Sequence, residues 1–125
     1  MATILVIEDE VDVTEVIKRR LKDAGHIPFI ANDPYNGLKL AREEKPDLIL
    51  LDLKLPAGGG LSILRNLKTA AETQGIPIII LTGSRSDEVK EKAIKEGAAA
   101  YLEKPYDHRV LLAAINAVLE RKTAS

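Results

Sequence analysis

The sequence predicts an α/β fold, a doubly wound sheet of five parallel strands with five helices on its two faces. Three observations carry that prediction. Apolar runs of strand length alternate five times with segments of helical period, and the connections are too short for any other arrangement. Three of the runs, residues 4–7, 48–51 and 78–81, are apolar without interruption, which suits strands covered on both faces. The 125 residues, 46% of them hydrophobic, supply one domain, residues 1–125, with a core of its own, and a second domain does not fit.

Each element has its own signal. The first run ends in Glu8-Asp9-Glu10, so a strand delivers carboxylates at its carboxyl end. Val13, Val16, Ile17, Leu21 and Ala24 then mark one helical face, with Gly25 as the stop. Residues 27–31 form an edge strand, because Pro28 cannot donate to a ladder. Residues 32–34 turn the chain, and a helix carrying Leu38 and Ala41 ends near Lys45-Pro46, since proline pushes its predecessor out of the helical region. The run 48–51 ends at Asp52, where Pro56 and Gly58, Gly59 and Gly60 break the pattern.

Leu61, Leu64, Leu67 and Ala71 predict a third helix, closed by Gly75. The next strand follows Pro77 and ends in Thr82. Ser84 or Ser86 caps a helix that reaches Gly97 and is thinly anchored, with Val89, Ala93 and Ile94 among many charges. Residues 98–102 read as a short alanine-rich strand before Glu103-Lys104-Pro105. Asp107 caps a last helix rich in Val110, Leu111, Leu112, Ile115, Val118 and Leu119, and residues 121–125 read as a frayed end.

The central places in the sheet go to the three continuous runs, and the Pro28 and alanine-rich strands take the edges. Right-handed crossovers then give the order 2-1-3-4-5. In that order the chain reverses direction between strands one and three, the point where ligands bind in such sheets, and those strands end in Glu8-Asp9 and Asp52. Composition excludes several classes. The net charge is −1, without the basic footprint of a nucleic-acid binder. The absence of cysteine rules out disulfides, thiolate metal sites and thiol catalysis. No apolar run spans a bilayer and no secretory leader opens the chain, so the expectation is a cytoplasmic protein with no membrane contact.

Three carboxylates at one crevice repel each other by roughly 3 kcal/mol per pair at about 5 Å and an effective dielectric near 20. Either one stays protonated or a hard cation bridges them, and an all-oxygen site open to water suits Mg²⁺. Lys104 adds a positive charge and Thr82 a hydroxyl at the same rim. A carboxylate with those neighbours is arranged to take up a phosphoryl group as a mixed anhydride.

These residues resemble the receiver domain of two-component response regulators from Ile4 to Leu119. Glu8-Asp9 resembles the acidic pair after the first strand. Asp52 with Pro56 and Gly60 resembles the phosphoacceptor loop, and Thr82-Gly83 and Lys104-Pro105 resemble the switch hydroxyl and the lysine-proline pair. The resemblance implies a flavodoxin-like fold and a signalling switch that catalyses only its own phosphorylation and dephosphorylation. A sensor histidine kinase or a histidine phosphotransfer protein would be the donor, and the output partner is left open. It implies Asp9, Asp52 and the Lys54 backbone carbonyl as Mg²⁺ ligands, with Glu8 acting through water. It further implies Thr82 and Lys104 on the phosphoryl group, a cis peptide before Pro105, and Tyr101 as a switch aromatic. Glu8 stands where many members have Asp, a common variant, and Gly59 where an acidic residue is frequent.

Duller readings compete. Glu8-Asp9 could cap the first helix, Lys104 could be a solvated lysine, Tyr101 could be plain edge packing, and His26 and His108 read as surface residues. The triple glycine lacks the Lys-Ser/Thr of a phosphate loop. A phosphatase of the haloacid dehalogenase type needs a second Asp two residues after its nucleophile, where this chain has Lys54. A degenerate receiver used only for docking should have lost part of the acidic pair, the acceptor or the lysine. The surplus of apolar positions on the last helix, Leu112 and Leu119, points to docking of a partner or a second copy on the 82–119 face.

Overall fold

The computed structural model describes residues 1–54, 59–83 and 86–124. Among them, strands β1 (Thr3–Ile7), β2 (Ile27–Ala31), β3 (Leu48–Asp52), β4 (Ile78–Thr82) and β5 (Ala100–Glu103) alternate with five helices. These are α1 (Val11–Asp23), α2 (Pro34–Glu44), α3 (Gly59–Thr69), α4 (Asp87–Lys95) and α5 (His108–Ala124). All pairings are parallel and the order is β2-β1-β3-β4-β5, as the sequence predicts.

Side chains alternate across a strand, so the central strands feed two cores. Leu5, Ile7, Ile49, Leu51, Ile78 and Ile80 meet Ala41 of α2, Ile63, Leu64 and Leu67 of α3, and Ala93 of α4. Ile4, Val6, Leu48, Leu50, Ile79 and Leu81 meet Ile17 and Leu21 of α1 and Leu111, Ile115 and Val118 of α5. Hence α2, α3 and α4 cover one face and α1 and α5 the other. Burying a side chain of this size contributes about 1.5–3 kcal/mol, and β3 and β4 are buried along their whole length. The edges are β2, where Ile27 is exposed, and β5, where no residue is fully buried.

Several elements differ in detail from the sequence pattern. On α1, Val16 is exposed and Ala24 lies past the end, while Thr14 takes the inward place. The Thr14 hydroxyl is tolerated there because it donates to the Val11 carbonyl at 2.8 Å. Helix α3 stops at Thr69, so Ala71 is exposed in the turn, and buried Thr73 donates instead to the Leu67 carbonyl at 2.7 Å. Helix α4 ends at Lys95, and Gly97 carries φ +105°, a conformation open to glycine without a Cβ clash. Strand β5 starts at Ala100, two residues later than predicted, and α5 stays helical to Ala124 where fraying was expected.

Helix starts follow capping chemistry. Ser86 Oγ accepts from the Val89 N–H at 3.3 Å, and Asp107 Oδ1 from the Arg109 N–H at 2.7 Å. Asp33 caps α2 by accepting from the Asn36 N–H at 2.8 Å. The alternative cap Ser84, and Pro56 and Gly58 of the loop after β3, lie outside the described residues. No helix among the described residues is long and apolar enough to cross a membrane.

Candidate functional site

Parallel strands bring their carboxyl ends to one side of the sheet. Ile7 pairs with Leu51, so Glu8 and Asp52 emerge side by side. Asp52 pairs with Leu81, which sets Thr82 one residue further out on β4. Thr82 pairs with Glu103, and the Lys104 N–H donates to the Thr82 carbonyl at 2.7 Å, bringing the lysine to the same rim. Glu8, Asp52 and Thr82 are buried, while Asp9 is half-buried.

One carboxylate oxygen from each of Glu8, Asp9 and Asp52 lies within 4.8 Å of the other two. The Lys104 ammonium enters this cluster, 2.8 Å from Glu8 Oε1 and 3.3 Å from Asp52 Oδ2. Asp52 Oδ1 accepts from the Lys54 N–H at 2.9 Å. The backbone of Glu8 is fixed on both sides, since its N–H donates to the Ala31 carbonyl at 3.0 Å and its carbonyl accepts from Asn32 Nδ2 at 2.9 Å. The capping alternative fails on this geometry. The cap of α1 is Glu10, which makes no side-chain capping bond, and Glu8 turns inward to Lys104.

The electrostatics divide the pair. Burial, and then the adjacent Asp52, push the Glu8 carboxyl up to about 7 against the pull of Lys104. Burial would raise Asp52 as well, but the neighbouring Glu8 carboxyl, the Lys54 amide and Lys104 hold it below the ordinary carboxylate range. Burial works against the Lys104 ammonium, and the two carboxylates outweigh it and raise its pKa. Without a metal ion in the cluster, Glu8 therefore holds a proton more readily than Asp52, and Asp52 is the carboxylate that stays ionised.

Three oxygens from three residues form the donor set a hard divalent cation takes. Glu8 Oε2 supports that fit: among the described residues it is a buried side-chain oxygen without a hydrogen-bond partner. Metal binding would also relieve the repulsion that keeps a proton on Glu8.

The remaining predicted residues are placed as follows. The Lys104–Pro105 peptide is cis. Tyr101 is half-buried on β5 against the α2–α3–α4 core, with the Lys90 ammonium 5.9 Å from its ring centroid. Leu112 and Leu119 pack half-buried at the margin of the α1–α5 core, which accounts for the apolar surplus of α5, and Val110 is the exposed one. His108 is exposed, but His26 is half-buried, its Nδ1 accepting from the Ala2 N–H at 3.1 Å. Two residues near the site were missed by the sequence reading. Asn32 holds Glu8 from the end of β2, and an Asn directly after a strand was the available signal. Half-buried Tyr106 packs beside the α1–α5 core, and burial raises its hydroxyl pKa.

The fold and this cluster define a receiver domain. The model of the response regulator receiver domain family matches residues 4–116, and the chain belongs to that family. It is 39% identical over 119 residues to the protein PilH of Pseudomonas aeruginosa, covering 95% of this chain and 98% of that one. It is 38% identical over 118 residues to the phosphate regulon transcriptional regulatory protein PhoB of Klebsiella pneumoniae, covering 94% of this chain and 52% of PhoB. The chain thus spans about half the length of the PhoB relatives it matches. Among solved structures, a CheY-like receiver domain protein from Methanospirillum hungatei superposes with a TM-score of 0.93 at 29% identity, over 99% of this chain and 98% of that one. A receiver domain protein from Clostridium thermocellum gives 0.92 at 36% identity, with coverage of 99% and 98%.

Proposed function

We propose that Asp52 is the phosphoacceptor of a signalling switch, charged by the phosphohistidine of a sensor histidine kinase or phosphotransfer protein in the cytoplasm. The observation that carries this reading is the Lys104 ammonium reaching both Glu8 and Asp52 in a cluster that leaves Asp52 ionised. An Asp52 oxygen attacks phosphorus, the P–N bond of the donor breaks, and its electron pair returns to the imidazole. Lys104 and the Thr82 hydroxyl offset charge on the phosphoryl oxygens, and the Lys54 N–H keeps the carboxylate oriented. Asp9, Asp52 and the Lys54 carbonyl would hold Mg²⁺, with Glu8 acting through water. That ion supplies neutralising charge to the phosphoryl oxygens.

The acyl phosphate is later lost to water, so the chain turns over no substrate other than its own phosphoryl group. A haloacid dehalogenase-type cycle is disfavoured because Lys54 cannot serve as the carboxylate acid it needs. Phosphorylation draws Thr82 inward, Tyr101 and the segment led by Pro105 readjust, and the 82–119 face meets an output partner or a second copy. Intact-mass spectrometry with a small acyl phosphate and Mg²⁺ tests the acceptor. A single transient adduct should form and be absent from Asp52→Asn; an adduct that survives this substitution moves the site elsewhere.

A further inference from the structure

We propose that Asn36 is a self-modification site: when the first turn of α2 opens, the Gly37 backbone nitrogen closes on the Asn36 side chain and converts it to aspartate or isoaspartate, and Asp33 holds that reaction back. Asn36-Gly37 is the one Asn-Gly pair in the chain. Such a pair is open to this chemistry because glycine carries no Cβ to shield its nitrogen from the preceding side chain. The glycine cannot be exchanged for a bulkier residue, since a Cβ there would meet Ile7 Cγ2 at 3.0 Å and Cγ1 at 3.1 Å in the core. Packing beneath α2 thus requires the reactive pair, and Asn36 itself lies exposed to water.

The reaction needs no reagent besides water. The Gly37 N–H proton leaves to solvent, the nitrogen bonds to Asn36 Cγ, and the Cγ–Nδ2 bond breaks with release of ammonia. Water then opens the cyclic imide at one of its two carbonyls, giving aspartate or an isoaspartate whose main chain runs through Cγ. Three contacts of Asp33 oppose these movements. Its carbonyl accepts the Gly37 N–H at 3.0 Å, which ties down the attacking nitrogen. Its Oδ2 accepts from Asn36 Nδ2 at 2.7 Å, which holds the leaving amide, and its Oδ1 accepts from the Asn36 N–H at 2.8 Å, which keeps the backbone between them helical. The Asn36 N–H, and then the Asn36 side chain, hold the Asp33 carboxyl below the ordinary carboxylate range, so the cap is charged in neutral solution. Either product undoes the arrangement. The new carboxylate cannot donate to Asp33 and sets a second negative charge beside it, and isoaspartate adds a carbon to the backbone just ahead of the glycine that packs on Ile7.

Peptide mapping by mass spectrometry, with aspartate and isoaspartate products separated by chromatography, follows residue 36 during incubation in mildly alkaline buffer. The folded parent should react at least about tenfold more slowly than the same chain in urea, because only the opened turn reacts. Equal rates in the two conditions overturn the proposal, and this comparison needs no variant. Asp33→Ala should speed the reaction in the folded chain by about threefold to thirtyfold, the range expected for loss of a helix cap. Asp33→Asn keeps an oxygen for the Asn36 N–H and should stay close to the parent. Ser86→Ala removes the cap of a different helix and should leave residue 36 at the parent rate. If Asp33→Ala reacts like the parent, or if Ser86→Ala accelerates the reaction as much, Asp33 does not govern the site. Asn36→Gln should abolish the isoaspartate product, and a product that persists places the reaction elsewhere.

Discussion

Strands β3 and β5 each deliver a charged residue to the same site, yet they are built in opposite ways. Every residue of β3 is buried, Asp52 included, between two neighbouring strands and two layers of helix. No residue of β5 is fully buried, it has one neighbouring strand, and of the two helices beside it α4 contributes one buried alanine. The carboxylate thus stands on a strand buried along its whole length, and the lysine follows a lightly buried edge. A packed interior resists small displacements, whereas a lightly buried edge with few apolar contacts shifts at low cost. The contrast explains how one charge can be placed to within hydrogen-bond tolerance while the surface around Lys104 stays free to rearrange.

The widest separation between the two strands should appear in stability. Leu50→Ala should cost about 3 kcal/mol, and Leu102→Ala, half-buried, about 1 kcal/mol, in urea denaturation. Equal losses would break the comparison. Lys104→Met should come next, at about 2 kcal/mol near pH 8, because it leaves Glu8 and Asp52 facing each other without their cation. The loss should shrink at pH 5, where Glu8 carries a proton in both proteins.

The parent protein offers a gentler probe. Glu8 titrates near 7 in the folded state and near 4.5 unfolded, so the folded form binds this proton more tightly. Without metal, stability should fall as pH rises from about 4.5 to about 7. Millimolar Mg²⁺ should flatten that fall, since cation and proton compete for the same cluster, and Asp9→Asn should abolish the flattening. Thermal melts across this range, with and without the ion, measure both effects. A profile that rises through the window would mean the strain is not on Glu8. The smallest effect belongs to Ser86→Ala, which removes the cap of the lightly held α4 and should cost about 0.5–1 kcal/mol. A larger loss would show α4 to be better anchored than its burial indicates.

The sequence revealed most where a residue's role follows from pattern alone. Unbroken apolar runs mark β1, β3 and β4, and Pro28 marks an edge, because sheet position leaves a direct trace in composition. The convergence of Glu8, Asp9, Asp52, Thr82 and Lys104 followed from strand order, since parallel neighbours must end together. Buried threonines were hidden, because Thr14 and Thr73 look like surface residues until their hydroxyls find carbonyls three and six residues back. Ala71 misled in the other direction, as alanine continues a helical stripe or sits in a turn equally well. The division of charge between Glu8 and Asp52 depends on which oxygen meets Lys104 or the Lys54 amide, and periodicity carries no trace of such distances. Arg65 and Glu96 pair across 31 residues, and nothing local to either announces the other.

Gly37 is buried where α2 comes down on the sheet, and a single added carbon there would meet the Ile7 side chain at 2.9 Å. Ile7 precedes Glu8 and is itself fully buried, so it has no vacant space into which to retreat. Mutational latitude on α2 is therefore uneven in a way its outward-facing residues conceal. Tyr35 and Lys39 on either side can vary with little consequence, while the position between them is limited to the smallest member of the amino-acid alphabet. A catalogue of tolerated substitutions would show an isolated blank at residue 37, caused by the strand residue that precedes the first acidic residue of the site rather than by the helix that carries the blank.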